Sequence, residues 1–190
     1  MATKPAISKR TPRPPADLQN LLLLRIYIWY RSLLSILLLL GAFNVDTRLL
    51  LGTRDAQLYV YAASVFLATN LVLLALLKTR IISRQASLFV VFFVDILAIT
   101  VLSDASGGMS SGLPILLVVS AATSAILINS STIATLIAAL CVISLLADTI
   151  RLINEQFLPI NRLLPAGLLG ALIFAVSLLI QAVAKRLGAA

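Results

Sequence analysis

The sequence predicts an all-α polytopic membrane protein, a bundle of six transmembrane helices joined by short loops, and three observations carry that prediction. Hydrophobic residues make up 61% of the 190-residue chain and charged residues 12%, with a mean hydropathy of +1.07. No soluble domain of this size has a core able to hide so much apolar surface. Apolar stretches also recur from Leu21 to Val183 with only short polar connections between them. Lipid-facing backbone must satisfy its own hydrogen bonds, so these stretches are helices and the bilayer is their solvent.

The expected spans are Leu21–Phe43, Leu58–Leu77, Ser87–Leu102, Leu113–Ile128, Thr132–Ala147 and Leu163–Val183. A 16-residue helix rises only ~24 Å against a ~30 Å hydrocarbon core. Spans three to five must therefore extend into their flanks or thin the bilayer. Residues 1–18 combine Lys4, Lys9, Arg10 and Arg13 with four prolines, a composition with nothing apolar to bury, and form a disordered cytoplasmic tail. The first span exceeds a signal-peptide core and no small-residue cleavage site follows, so it reads as an uncleaved helix. The six-helix unit covers 19–187, and 188–190 begin a cytoplasmic linker or end the chain.

Charge sets the direction of the spans. The N-terminal tail, the second connection with Lys78, Arg80 and Arg84, and the end with Lys185 and Arg186 hold nine basic residues. The opposite side holds four, Arg48, Arg54, Arg151 and Arg162, offset by acidic residues. Both termini are therefore expected in the cytoplasm. The net charge of +8 belongs to this topological bias rather than to a nucleic-acid surface, and no nucleic-acid partner is expected.

Several chemistries are excluded. The chain has no histidine and a single cysteine, Cys141, which removes histidine-based triads, histidine metal sites, thiolate clusters and internal disulfides. No phosphate-binding loop, dinucleotide fingerprint or metal motif occurs. The chain is not expected to be an enzyme or to hold a cofactor.

Three charges fall inside spans. Arg25 is near enough to the cytoplasmic boundary to lift its guanidinium to the headgroups. Arg31 and Asp95 are deeper, where an unpaired charge costs at least ~2.5 to 3.5 kcal/mol. Arg31 lies ten residues, ~15 Å, past Leu21, and Asp95 eight residues, ~12 Å, past Ser87, both on outward-running spans. Their matching depths predict a buried Arg31/Asp95 pair. A structural ion pair between spans one and three is one reading of Asp95, and a switch or proton site is the other; a lone carboxylate without a second acid makes a poor relay. Tyr27, Trp29 and Tyr30 form an interfacial aromatic belt, and Tyr27, one turn before Arg31, could also join the polar cluster.

In the last span Gly167, Ala171 and Ala175 recur every four residues, a small-residue stripe suited to helix packing within the bundle or between two copies. The loop containing Asp104, Ser106, Gly107 and Gly108 is rich in turn formers. It is a plain external turn, or its glycines set backbone amides in an anion-accepting array.

The segments Arg25-Ile26-Tyr27 and Tyr30-Arg31, Phe93-Val94-Asp95-Ile96-Leu97-Ala98, Ala105-Ser106-Gly107-Gly108 and Ser111-Gly112-Leu113 resemble the membrane region of PilS-type sensor histidine kinases, and the similarity runs over about residues 20–187. The resemblance implies a six-helix input region, normally followed by a PAS domain and a dimeric kinase in the bacterial inner membrane. It further implies a signal linked to type IV pilin and an output to a response regulator of the PilR type. The chain has no histidine to phosphorylate, and so is an excised membrane domain or a standalone relative. Asp104 stands where the family pattern leads one to expect histidine, and Asn129-Ser130-Ser131 lacks the expected basic turn. A small six-helix transporter or transporter subunit is the alternative, disfavoured by a single intramembrane acid and no interrupted repeats.

Overall fold

The computed structural model describes residues 16–43, 53–76, 85–128, 130–156 and 163–188. Six α-helices follow in order: α1 Ala16–Phe43, α2 Ala56–Leu76, α3 Gln85–Ala105, α4 Ile115–Leu127, α5 Ser131–Gln156 and α6 Leu163–Gly188. A four-residue 3-10 helix, Gly108–Ser111, lies between α3 and α4, and no strand occurs among the described residues. Residues 1–15, Arg48, the connection with Lys78, Arg80 and Arg84, Asn129, Arg162 and residues 189–190 lie outside the described residues. The last three residues assigned to the tail, from Ala16, are the first turn of α1, and Gly188 closes α6.

Among the described residues five helices are long and apolar enough to cross a membrane, and α4 is a shorter apolar helix. The three short spans resolve differently. α3 grows to 21 residues, and α5 to 26 by continuing through Asp148, Arg151 and Glu155. α4 instead contracts to 13 residues, ~20 Å. Its start is set by Gly112, in a left-handed conformation at φ 72°, and by Pro114; its end is set by Ile128, which turns extended. The remaining depth is filled by the segment between α3 and α4, where Ser106, Gly108, Leu113 and Pro114 are buried. Non-helical backbone at membrane depth is tolerated where protein covers it.

α4 packs against α6, α5 and α3 and touches α1, whereas α2 lies at one side against α1 and α3. One apolar cluster joins Leu38 and Ala42 of α1, Tyr59 and Phe66 of α2 and Leu102 of α3. A larger one runs through Ile28, Phe92, Leu117, Ile137 and Ile173. Alanines are fully buried at the crossings, among them Ala63, Ala121, Ala138 and Ala166, which lets backbones approach closely. Intramembrane hydroxyls of Ser32, Thr100, Thr123 and Thr149 donate to the carbonyl four residues earlier, so they carry no unsatisfied donor into the apolar interior. The outer faces remain apolar: Leu164, Leu168, Leu172 and Leu179 of α6 are exposed, as lipid contact requires.

Candidate functional site

Tyr27 and Arg31 occupy one face of α1, a single turn apart, and turn inward. α3 sets Asp95 opposite them: Arg31 Nη2 lies 2.7 Å from Asp95 Oδ1, with both residues 1% exposed. The Tyr27 hydroxyl donates to Asp95 Oδ2 at 2.5 Å, and the Ser120 hydroxyl of α4 donates to the same oxygen. Three helices therefore meet on one carboxylate. Trp29 and Tyr30, the other members of the aromatic segment, are exposed to the lipid side.

The guanidinium is held in an unusual way. Its carbon lies 5.5 Å from the Tyr27 ring centroid and 5.3 Å from that of Phe66 on α2, so the cation is clasped between two π faces. Tyr27 also packs on Phe92 with ring centroids 5.3 Å apart. The contact with Asp95 is close but outside hydrogen-bond geometry, and Arg31 Nε, Nη1 and Nη2 and Asp95 Oδ1 have no hydrogen-bond partner. Charge and ring faces, not directed hydrogen bonds, hold Arg31. One turn beyond Phe66, the buried side chain of Asn70 also lacks partners at both polar atoms. A cavity of about 10 Å³, room for the centre of one water-sized sphere, touches Arg31, Asp95, Tyr30, Val119 and Ser120.

The arrangement can store a packing preference. Buried polar groups left partly unsatisfied are costly in low dielectric, so a small displacement of α1, α3 or α4 that improves or spoils these contacts carries a large energy. No group of three or more metal-ligating side chains occurs among the described residues.

At the opposite end from the start of α1, Asp104 accepts from Arg54 and lies 3.4 Å from Arg151, while Glu155 binds both arginines. Thr53 donates to the Ser106 carbonyl at 2.9 Å, and the Arg54 and Asp55 amides both point to the Ala105 carbonyl. The loop is a packed turn: the amides of Ser106, Gly107 and Gly112 bond to carbonyls within it. Gly107 and Gly108 have φ of 86° and 68°, and a Cβ on Gly108 would lie 2.2 Å from Leu152 Cδ1. The positive φ favours glycine there, and a Cβ would also have to push the Leu152 side chain aside.

The stripe Gly167, Ala171 and Ala175 faces outward, with nothing within 4 Å of a Cβ built on Gly167. Packing inside the bundle uses the adjacent face: Ala166, Gly170, Ile173, Ser177 and Gln181 are buried, and a Cβ on Gly170 would stand 3.2 Å from Val142 Cγ1. Gln181 accepts from Ser131 and donates to Ser177 at 3.2 Å, tying α6 to the first turn of α5. Ser120, Phe66, Asn70 and Gln181 escaped sequence reasoning. A glutamine and an asparagine in otherwise apolar spans were the available signals, whereas Ser120 and Phe66 offered none.

A six-helix polytopic membrane domain with an ion pair buried between its helices is the class of protein that fold and site define. The chain matches the PilS-like transmembrane domain over residues 15–190 and belongs to that family. It is similar to the sensor protein kinase PilS of Pseudomonas aeruginosa, at 32% identity over 165 residues. That match covers 86% of this chain and 30% of the relative, so the chain spans less than a third of the curated protein it resembles. No solved structure matches.

Proposed function

We propose that this domain is the signal-input half of a sensor histidine kinase, sensing a single-span partner in the bacterial inner membrane, type IV pilin in the first instance, and passing the signal through α6 to a cytoplasmic kinase. Family membership and the resemblance of the mid-membrane segments support the reading. The observation that carries it is the Arg31–Asp95 centre, in which α1, α3 and α4 converge on a single carboxylate with donors left over. In this reading the bundle has two packings, and a partner shifts their equilibrium by its differential affinity for them. In this reading both termini are cytoplasmic, residues 1–18 are a cytoplasmic tail, and the kinase acts on a response regulator.

The output helix has the features such a role needs. Its outward stripe of Gly167, Ala171 and Ala175 is free within one chain to pair with α6 of a second copy, and the Gln181 contacts set its rotation against α5. A test fuses residues 1–187 to the PAS and kinase regions of a PilS-type protein in liposomes, with and without pilin. Added pilin, and Ile at Gly167 or Ala171, should each change autophosphorylation. Pilin that neither crosslinks to the domain nor alters kinase activity removes pilin sensing, and silent Ile variants remove α6 as the conduit.

A further inference from the structure

The charges at the end of the bundle where α3 finishes form a closed ring. Arg54, in the connection before α2, pairs with Asp104 of α3 and Glu155 of α5, and Arg151 of α5 reaches the same two carboxylates at 3.4 and 2.8 Å. Two cations and two anions alternate, so the ring is neutral. It lies beyond the apolar part of α5, which ends at Ala147 and gives way to Asp148, Thr149, Arg151, Asn154, Glu155 and Gln156. The 26 residues of α5 rise ~39 Å against a ~30 Å hydrocarbon core, so this charged end projects from the span.

A third carboxylate adjoins the ring. Asp148 is 7% exposed, and no cation among the described residues stands within ion-pair distance of it. Its Oδ2 accepts from the Ser103 hydroxyl of α3 at 3.3 Å, and a Cβ on Gly108 would lie 3.5 Å from the same atom. Asp148 is therefore wedged between α3 and the 3-10 turn. The charges acting on it come from three sides: Asp104 of α3 disfavours its ionised form, while Arg54 of the α1–α2 connection and Arg151, one turn along α5, favour it. Asp55 is engaged elsewhere, capping the Gln57 and Leu58 amides of α2. The 3-10 helix and α4 carry no titratable side chain, and the charged residues of α6, Lys185 and Arg186, belong to its far end.

With Asp148 ionised, three carboxylates share two guanidinium groups. One proton on Asp148 balances the cluster, and the carboxyl then has a hydrogen to donate to the Ser103 oxygen. Burial and then the Asp104 charge push the Asp148 carboxyl up to about 6, against the opposing pull of Ser103, Arg151 and Arg54.

We infer that Asp148 is a proton-binding site that fastens α3 to α5 at this end of the bundle, the packing tightening as the medium acidifies. The seam continues inward, where the Thr100 and Ser144 hydroxyls join the same two helices, and α3 goes on to Asp95. On the topology proposed above the medium is extracytoplasmic; the proton site itself does not depend on the signalling reading. The folded chain holds this proton more tightly than the unfolded chain, whose aspartates titrate at about 3.9. The stabilisation is complete below the unfolded value and is lost as pH rises through about 6.

The test unfolds the purified domain in mixed micelles, followed by circular dichroism, at about pH 7.5 and about pH 5. Between these the wild-type unfolding constant should fall about tenfold more than that of Asp148→Asn, whose neutral amide stands in for the protonated carboxyl. Titration of the other groups, Asp95 included, is common to both proteins and cancels. Ser103→Ala removes a donor to the ionised form, so its pH response should equal or exceed the wild type's. Parallel responses of the wild type and Asp148→Asn overturn the proposal, as does a smaller response in Ser103→Ala. If Asp148→Asn does not fold, Asp148→Ser, also neutral, takes its place. Failure of both to fold overturns the proposal as well, since an uncharged side chain is what it places there.

Discussion

Removing one charge from the Arg31–Asp95 centre leaves the other buried beside apolar and aromatic groups, and the consequences of the two deletions differ. Asp95→Asn preserves an acceptor for the Tyr27 and Ser120 hydroxyls, so what it removes is the counter-charge of Arg31. With Arg31 1% exposed and clasped between Tyr27 and Phe66, the guanidinium has no route to water without unpacking α1 from α2. A buried charge stranded in this way costs about 3 to 5 kcal/mol. Arg31→Met strands a carboxylate instead, but one that keeps two hydroxyl donors, and about 2 to 3 kcal/mol is expected. The double variant has a neutral centre with its hydrogen bonds retained and a side chain of similar reach in place of arginine, and should lose only about 1 to 2 kcal/mol. The coupling energy is then at least ~3 kcal/mol, well beyond the few tenths seen between independent sites. Unfolding of the purified domain in mixed micelles, followed by circular dichroism and Trp29 fluorescence, measures all four corners of the cycle. Additivity within ~0.5 kcal/mol would show that the two charges do not stabilise each other and would remove the centre as an energetic unit.

Gly108→Ala should destabilise by about 2 to 3 kcal/mol, combining a positive φ with the clash at Leu152, whereas Gly112→Ala, with open space at its Cβ, should lose only about 1 kcal/mol; the same unfolding assay compares them. Gly170→Val should cost about 1 to 3 kcal/mol through overpacking on Val142, while Gly167→Val leaves monomer stability within ~0.5 kcal/mol. Equal losses at the two positions would contradict the rotation of α6. In a Cys141→Ser background in intact cells, Thr53→Cys and Asn154→Cys should react with a membrane-impermeant thiol reagent and Ser83→Cys should not. Ser106→Cys should also stay unlabelled, since Ser106 is 1% exposed.

Length and hydropathy alone determined that this chain is a helical membrane bundle, because roughly 20 apolar residues are what a bilayer demands of a helix and little else satisfies buried backbone. The meeting of Arg31 with Asp95 was also legible in the sequence. A charge inside an apolar run needs a partner, and position along two helices running in the same direction gives the depth at which that partner lies. What the sequence could not determine was rotation. α6 is apolar nearly all round, so its pattern does not separate a lipid-facing side from a protein-facing one, and the stripe of Gly167, Ala171 and Ala175 was visible while the packing face through Ala166, Gly170 and Gln181 was not. Ser120 and Phe66 were invisible for the same reason: a serine or phenylalanine is ordinary in any span, and only helix packing brings it to Asp95 or Arg31. The contraction of α4 likewise belongs to tertiary structure, since residues 106–114 leave the α-helical path where Leu152 of α5 and Thr53 meet them. Hydropathy registers how apolar a segment is; which neighbour each of its faces meets depends on every other helix in the bundle.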